Sequence, residues 1–582
     1  MGADHGTTII DGNNSGTVVS MSACSNATLL SGFTLKNGAG VNGGGLSLFN
    51  SEPVLSDLLI TENSASTNGA GIYFDSSNPS LENVIISGNS ATGGGGGLYF
   101  RYYSSPGLEN VLITGNSAGY GGGVYCWTSS NPSLENVTIN GNSASYNGGG
   151  MYCASSNPTL TNVTFSGNTA SIDGDGVYCG SSSSPILMNT ILWDNGTQEV
   201  FLSGASDTIT FAYSDVQGGQ DSIVINDNGT VIWGEGNIDV DPRFIDSENS
   251  NYHLLASSHC INGGDPTTFD SDGSRADIGA YPYLTDNMVP VWYINTAGND
   301  TTGTGTSVNP FASIQAGINF SSDADSVTVA AGTYVENIDF RGRNIKVVGE
   351  DRETTIIDGN QSGSVVIFLY EFGGGVTAAA MLSGFTITNG GDVEHGGGIR
   401  LSGGSNPTLN NLIVQNNEAN HGGGISLISS SPTLSNVTIS GNTASAGDGG
   451  GLRCISSSST DPSSDPSLMN VTITNNTSNG SGGGIYAENS SFTLDGVTVS
   501  NNTSTGDDPQ IQEAGGISVS TENSSSNNIH IRIVNSIISG NTASGGSSTG
   551  GLFFFAIDSV TIASTEINGN SEIGRASCRE RV

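Results

Sequence analysis

Residues 131–153, NPSLENVTINGNSASYNGGGMYC, contain one complete copy of a unit that recurs along the chain. Apolar and polar side chains alternate over residues 137–139, which predicts a strand with one buried face. Residues 151–153 predict a second short strand, and the glycines at 148–150 allow positive φ or close backbone approach before it. No part of this stretch keeps a 3.6-residue apolar period, so the predicted unit is strand, turn, strand, turn.

Asparagines at regular intervals mark the repeat. In the first third of the chain they are 26, 26, 27, 26 and 26 residues apart: Asn37, Asn63, Asn89, Asn116, Asn142 and Asn168. A second array has less regular intervals, which indicates loop insertions: Asn389, Asn417, Asn442, Asn476, Asn502, Asn541 and Asn570. A fixed period of this size predicts a solenoid. Inward-turned asparagines would hydrogen-bond to one another as an amide ladder.

Stacked copies of this unit predict a parallel β-helix, in which each strand pairs with its counterpart about 4.8 Å away in the next coil. One coil cannot bury its apolar face alone, but neighbouring coils bury it jointly. We therefore predict an all-β chain with two tandem right-handed parallel β-helices, residues 1–285 and 286–572. The first ends in an irregular terminal segment from about residue 200. The second begins with a cap that contains one short helix, at residues 311–320.

Both ends of the chain carry unusual sequence. Residues 349–366 resemble residues 2–19, but only the later copy has a long lead-in, so we expect the first β-helix to be truncated at its N-terminus. An export signal or anchor would then be missing from this fragment. Residues 573–582, IGRASCRERV, read like the translation of a sequencing adapter and are expected to be an artefact.

The composition excludes several classes of partner. The formal net charge is −39, and such a surface repels nucleic acid and anionic membranes while attracting cations such as Ca²⁺. No apolar stretch approaches the roughly 18 residues of a membrane-spanning helix. We predict a monomer with no transmembrane segment, no nucleic-acid partner and no required cofactor, with Ca²⁺ as the one candidate ion.

The repeats also resemble known families. The opening of the second unit and the Gly/Asn repeats resemble secreted bacterial β-helix proteins of the pectin-lyase-like fold. NVTFSGNTA at residues 162–170 resembles repeats of polymorphic outer-membrane autotransporters, and ADIGAYPY at 276–283 resembles the terminal segment of modular surface-anchored β-helix proteins. These resemblances imply the fold and an exported protein. We predict a surface or secreted module for adhesion or glycan contact, and the regular coils with few basic residues favour a non-catalytic role. The alternative is a polysaccharide lyase or glycosidase of the same fold.

Five tyrosines share one repeat position and are candidates for contact with a polysaccharide or cell-surface glycan. Each precedes a position that elsewhere holds Phe or Cys, so strand alternation predicts that the rings face outward. An exposed aromatic stripe could stack on sugar rings, whereas the alternative is aromatic packing between strands of a solvated sheet. The five are Tyr73, Tyr99, Tyr125, Tyr152 and Tyr178.

Three aspartates are candidate calcium ligands. Asp270, Asp272 and Asp277 supply closely spaced carboxylates, and Gly273 permits a sharp turn, an arrangement that suits Ca²⁺. The distal glutamate of an EF-hand is absent, and the alternative is a set of solvated turn residues.

Catalysis would need a different group of residues. His395, His421, Arg400 and Arg453 lie at or beside the glycine-rich edge on neighbouring coils of the second array, and they are the candidates for a catalytic cluster. The alternative is that they are unrelated polar residues on the surface. The cysteines are assigned to the core, because Cys126, Cys153 and Cys179 occupy one repeat position that Phe or Leu fills elsewhere.

Overall fold

Short strands that pair in parallel with the next coil form almost all of the secondary structure. The computed structural model describes residues 2, 4–285, 289–369, 375–456, 464–506, 514–521, 529–544 and 549–573. The chain divides into two units, Met1–Asp286 and Asn287–Val582, each of them a parallel β-helix. The all-β prediction is confirmed.

Three parallel sheets extend along the first unit. The long sheet takes two segments from most coils: Ile9–Asp11, Leu29–Ser31, Thr34–Lys36, Val54–Ser56, Leu59–Thr61, Ser80–Glu82, Ile85–Ser87, Gly107–Glu109, Leu112–Thr114, Ser133–Asn140, Thr159–Ser166, Ile186–Met188, Ile191–Trp193, Thr208–Ala212, Asp215–Val216 and Thr230–Trp233. The middle sheet contains Val19–Ser22, Leu46–Phe49, Ile72–Asp75, Leu98–Arg101, Val124–Trp127, Met151–Ala154, Val177–Gly180, Val200–Leu202 and Val224–Ile225. The short sheet contains Ala39–Asn42, Ser64–Asn68, Ser90–Ala91, Ser117–Ala118, Ser143–Ala144 and Thr169–Ala170.

The second unit repeats this arrangement. Its long sheet contains Val291–Ile294, Ser326–Val329, Gly332–Val335, Lys346–Gly349, Thr355–Asp358, Met381–Thr388, Thr408–Gln415, Thr433–Ser435, Thr438–Ser440, Ser467–Met469, Thr472–Thr474, Phe492–Asp495, Thr498–Ser500, His530–Val534, Ile537–Ser539, Ser559–Ala563 and Glu566–Asn568. Its middle sheet contains Ile338–Asp339, Val366–Phe368, Ile399–Leu401, Ile425–Ile428, Leu452–Ile455, Ile485–Glu488, Ile517–Ser520 and Leu552–Phe555. Its short sheet contains Glu418–Ala419, Thr443–Ala444, Thr477–Ser478, Thr503–Ser504, Thr542–Ser544 and Ser571–Ile573.

The core is a set of columns of like residues, because the strands of the middle sheet pair without a shift in register. Phe74 pairs with Phe100, which pairs with Cys126, and the column continues into Cys153. All four side chains are fully buried in one continuous apolar cluster. The assignment of these cysteines to the core is confirmed, and Cys179 and Cys454 are likewise buried.

A ladder of buried asparagines follows the inside of the turn between the long and short sheets. Asn116 Oδ1 accepts hydrogen bonds from both the backbone N and Nδ2 of Asn89, at 3.0 and 2.9 Å. Asn116 Nδ2 in turn donates to the carbonyl oxygen of Ile86 at 2.9 Å. The ladder ends at Glu199, which takes the place of the next asparagine. Its carboxylate accepts hydrogen bonds from the backbone N and from Nδ2 of Asn195. The amides of the ladder are therefore paired, and adjacent coils are locked in register.

The first asparagine of each array is not a member of the ladder. Lys36 pairs with Thr61, which places Asn37 opposite Glu62 and Gly38 opposite Asn63. Asn37 has a φ of 54° and forms the turn, and the N–H of Gly38 donates to Asn63 Oδ1. The second array begins in the same way, with Asn389 at the turn and Gly390 donating to Asn417 Oδ1. The sequence period assigned Asn37 and Asn389 to the ladder, whereas in the structure each lies one residue before the ladder position.

Paired coils of the first unit continue beyond residue 200, where the sequence predicted the irregular segment to begin. Thr208–Ala212 pairs with Thr230–Trp233, the last strand of the long sheet. Two 3₁₀ turns, Gln220–Ser222 and Ser247–Asn249, and an antiparallel pair, Phe244–Asp246 with Asn251–Leu254, lie in this region.

The end of the first unit then folds back over the outer face of the long sheet. The N–H of Ala280 donates to Thr164 Oγ1, and Asn140 Nδ2 donates to Ser250 Oγ. Asp215 is enclosed beneath this segment, where it accepts hydrogen bonds from the N–H of Val240 and from Cys260 Sγ. Burial raises the pKa of Asp215 to about 8.

The predicted cap helix of the second unit is present as Ile314–Phe320. Ser313 caps its N-terminus by accepting a hydrogen bond from the N–H of Ala316, and every helical residue is buried. Trp292, Phe311 and Phe320 stack against one another beside it. This aromatic group packs at the first coil of the second unit.

Replacing Asn116 by alanine should destabilise the first unit by at least about 2 kcal/mol. The substitution leaves two buried donors of Asn89 without an acceptor, and each such loss costs about 1–3 kcal/mol. The free energy of unfolding from urea titration measures the effect. Asn226→Ala, at an exposed site, is the control. Equal stability of the two variants would contradict the ladder's energetic role.

Replacing Asp215 by asparagine should reduce the decrease in the free energy of unfolding that accompanies a rise in pH. The pKa of an unfolded aspartate is about 3.9, whereas burial raises the pKa of folded Asp215 to about 8. The contribution of Asp215 to folding stability is therefore present below pH 4 and is lost as the pH rises towards 8. The amide of the Asp215→Asn variant would keep the hydrogen bond from Val240 and carry no charge at any pH.

The check is the change in urea midpoint between pH 5 and pH 8. Wild type should lose more than Asp215→Asn, and Asp227→Asn, at an exposed turn, should behave like wild type. An identical change in all three proteins would show that burial of Asp215 does not affect folding.

Candidate functional site

The tyrosine ladder lies on the outer face of the first unit's middle sheet. Its members pair in register with one another, and the column continues into Phe201. Neighbouring ring centroids are 4.6–5.5 Å apart along the ladder. The ladder consists of Tyr73, Tyr99, Tyr125, Tyr152 and Tyr178.

The predicted exposure of this ladder is wrong for three of its five members. Tyr73, Tyr99 and Tyr178 are buried, Tyr99 with only 5% of its surface exposed, and Tyr125 and Tyr152 are half-buried. The rings cover one another and lie against the glycine-rich turn. The alternative from the sequence, aromatic packing between strands, therefore describes these contacts. Glycan contact by the ladder itself stays a prediction.

At one position of the glycine-rich turn, Gly94, the tyrosine rings occupy the space that a side chain would need. A Cβ atom added to Gly94 would collide with the ring of Tyr125 and approach Tyr99 Cε2 to 3.1 Å. Burial in this packing raises the pKa values of Tyr99, Tyr125 and Tyr152. The phenols therefore stay neutral, with hydroxyls that can donate or accept.

Two other tyrosines form an exposed, stacked pair beside the ladder. Tyr120 and Tyr146 are 38% and 47% exposed, and their rings stack with centroids 4.9 Å apart and planes at 25°. Tyr120 also meets Tyr152 edge-to-face, with centroids 5.6 Å apart. The ladder thus supports the exposed pair through Tyr152. The two are 26 residues apart, one repeat period, and this was the sequence signal that could have identified them.

The opposite edge of the same sheet carries an arginine held between aromatic rings. The Arg101 guanidinium lies 4.0 Å from the Tyr102 ring centroid and 5.4 Å from that of Trp127. It also donates hydrogen bonds to the hydroxyls of Tyr73 and Tyr102. Tyr102 and Tyr103 both have φ above +50°, an uncommon conformation for aromatic residues that leaves Tyr103 exposed.

In the second unit, the structure brings together the four residues that the sequence named as catalytic candidates. Arg400, Ser426 and Arg453 are consecutive members of one register column on the outer face of the middle sheet. His395 and His421 pair at the turn before these strands, with ring centroids 5.6 Å apart.

The electrostatics of this group keep both imidazoles neutral near pH 7. Burial, with Arg453, His421 and Arg400 nearby, lowers the pKa of His395 to about 4, and burial with Arg453 lowers that of His421. His421 Nδ1 accepts a hydrogen bond from the N–H of Asp448, and its Nε2 lies 3.7 Å from Glu394 Oε1. Burial raises the pKa of Asp448.

A polar cleft of about 490 Å³ adjoins this group. Glu394 connects the cleft with the histidines, since it lines the cleft and lies beside His421. Asp392 and Glu418 add two further carboxylates, and the remaining polar lining includes Gln361, Asn389, Asn416, Asn420 and Ser445. All charged side chains of this lining are acidic, which disfavours a polyanionic ligand in the cleft itself.

The three aspartates proposed for calcium accept backbone hydrogen bonds. Burial raises the pKa of Asp277 to about 8 and that of Asp270 to about 6. Across the described ranges, no group of three or more His, Cys, Asp or Glu side chains is arranged to hold a metal ion. Calcium binding stays a prediction. Asp270 accepts a hydrogen bond from the N–H of Asp277, and Asp272 accepts from the N–H groups of Ser274 and Thr285. Asp277 accepts from the N–H groups of Asn262 and Tyr283.

Comparisons with known proteins support the fold. Residues 6–146 and 135–241 match the family described as right handed beta helix region, and residues 470–488 match the Chlamydia polymorphic membrane protein repeat. Together with the parallel coils, these matches show that the chain is a right-handed parallel β-helix repeat protein. The predicted resemblance to autotransporter repeats is thus supported by a match in the second unit.

A PL6 family alginate lyase, solved as a mutant, is similar over 94% of this chain and 97% of its own, at 10% identity and a TM-score of 0.25. That likeness carries no inference about activity. The search of curated proteins gives no match. None of the helices described is long and apolar enough to cross a membrane.

Replacing Gly94 by alanine should disorder the tyrosine ladder and destabilise the first unit by about 1–3 kcal/mol, because the new methyl group collides with the Tyr125 ring. Near-UV circular dichroism of the tyrosines and the urea midpoint report the change. Gly107→Ala, whose Cβ would meet only Ser133 Oγ at 3.6 Å, is the matched control. Equal spectra for the two variants would refute the packing argument.

Proposed function

We propose that this protein is a non-catalytic module of a bacterial surface or secreted protein and that it contacts glycans through the first unit's middle sheet. The observation that carries the proposal is the exposed, stacked pair of Tyr120 and Tyr146, which packs against Tyr152 of the tyrosine ladder. Aromatic rings present a flat apolar surface together with a hydroxyl, and sugar rings offer a C–H face and hydroxyls in return.

The packing beneath the pair favours binding. The edge-to-face contact between Tyr120 and Tyr152 restrains the exposed ring before any ligand arrives. Ordering a side chain on binding costs about 0.5–1.5 kcal/mol, so a restrained ring retains more of its contact energy. At the other edge, Arg101, Tyr102 and Trp127 add hydrogen-bond donors and further ring surface.

Export to the cell surface is the location that fits such a role. The match of residues 470–488 to a polymorphic membrane protein repeat supports it, as does the predicted resemblance to secreted β-helix proteins. The strongly acidic composition is compatible with an extracellular setting and with a neutral ligand.

A carbohydrate-active enzyme is the second candidate, and one observation favours it. His395, His421 and Arg453 meet beside a cleft that carries three carboxylates. The lowered pKa of His395 makes it a weak base near pH 7, and this argues for binding over catalysis at that position.

Binding should depend on the exposed pair. The double variant Tyr120→Ala with Tyr146→Ala should bind glycan about 5- to 150-fold more weakly, because each stacked ring contributes about 0.5–1.5 kcal/mol. Affinity electrophoresis against neutral and acidic polysaccharides gives the dissociation constants. Tyr293→Ala, which removes a similarly exposed tyrosine of the second unit, is the control.

Two results would count against this function. One is unchanged binding by the double variant, and the other is no binding of any polysaccharide by wild type. Release of reducing ends or unsaturated products in the same incubations would favour the enzyme instead.

A further inference from the structure

A group of hydrogen-bond donors occupies the outer face of the second unit's middle sheet. Arg400, Ser426 and Arg453 form one register column over three successive coils, and His395 and His421 lie at the turn before them. We call these five residues the His–Arg cluster. Only 14 of the 582 residues are lysine or arginine, so two arginines in one column are a local exception to the acidic surface.

Several polar atoms of the cluster are buried without a hydrogen-bond partner. Arg453 is only 9% exposed, and both its Nε and its Nη1 lack an acceptor. Arg400 Nε, His395 Nδ1 and Ser426 Oγ also lack partners. Native structures leave few buried polar atoms unpaired, so a concentration of them in one place points to a missing group.

The neighbouring carboxylates do not supply that group. Glu394 accepts a hydrogen bond from Asn420 and lies beside His421. Asp448 accepts a hydrogen bond from the N–H of Ser481. Arg453 can donate but cannot accept, so its unmet requirement is for an oxygen acceptor.

We propose that the His–Arg cluster binds one oxyanion group, a carboxylate or a sulfate, with Arg453 as the main donor and Arg400 as the second. A guanidinium offers paired N–H groups that match two oxygens of such a group. Ser426 and a neutral imidazole complete the set, because each can donate a hydrogen bond to an oxygen. The oxyanion can be a free small anion or an acidic substituent of a polysaccharide, since both present the same oxygens.

Titration of the full chain tests the site. Sodium sulfate, sodium acetate and a sulfated or uronic-acid oligosaccharide are added separately at constant ionic strength, and the unfolding temperature of the second unit is followed. Wild type should show a saturable rise with at least one of these probes. Arg453→Met should bind that probe about tenfold or more weakly, because it loses charge-assisted hydrogen bonds.

Arg532→Met, which removes an exposed arginine from the long sheet of the same unit, should titrate like wild type. Saturation by the free anions indicates a small-anion site, whereas saturation by the oligosaccharide alone indicates an acidic substituent. The proposal is overturned if no probe gives a saturable rise, or if Arg453→Met titrates like wild type.

A second measurement covers the case in which Arg453→Met does not fold. Selenate soaked into wild-type crystals should give an anomalous peak within hydrogen-bond distance of Arg453 Nε or Nη1, and absence of that peak overturns the proposal. The variant lacking Tyr120 and Tyr146 should keep full anion binding. The two sites therefore succeed or fail independently.

Discussion

Hydrogen bonding between equivalent groups of adjacent coils is the constraint on which the rest of this structure depends. Backbone strands of the long and middle sheets pair in parallel with no shift in register over the regular coils, and the buried asparagine amides repeat the same pairing within the turn. A side chain is therefore always stacked on the side chain at the same repeat position of the next coil. The burial and contacts of a residue therefore depend on the whole column of residues at its repeat position.

This column logic explains why the two faces of a strand differ so strongly. Inward columns are aliphatic, phenylalanine or cysteine, and they form one continuous apolar core in the first unit. Outward columns differ between the two units, as the middle sheets show. In the first unit that column is tyrosine, whereas in the second it runs through Arg400, Ser426 and Arg453. Two units with one backbone plan thus carry an aromatic column in one case and a column with two arginines in the other.

Glycine-rich turns connect the fold to these surfaces. They bring backbones of neighbouring coils close enough that a Cβ at Gly97 would lie 2.7 Å from the carbonyl oxygen of Gly123. On the outside, the same absence of side chains leaves room for the tyrosine rings over Gly94. Turn and surface therefore cannot vary independently, because enlarging the turn residues displaces the aromatic packing.

The sequence by itself determined the solenoid, its period, the two arrays, the cap helix and the membership of the core. These follow from local patterns, since strand alternation and turn residues act within one coil and the period repeats them. It also put the two histidines and two arginines on neighbouring coils, because the register follows from the period.

Only the tertiary structure decided which aromatic residues meet solvent. Alternation assigns a side chain to the outer face, but it does not reveal that stacked rings cover one another, so Tyr99 is buried and Tyr146 is exposed. The ladder position of Gly38 in place of Asn37 likewise depends on pairing across coils. Burial and hydrogen bonding are relations between residues far apart in the chain, and the pattern within one repeat cannot specify them.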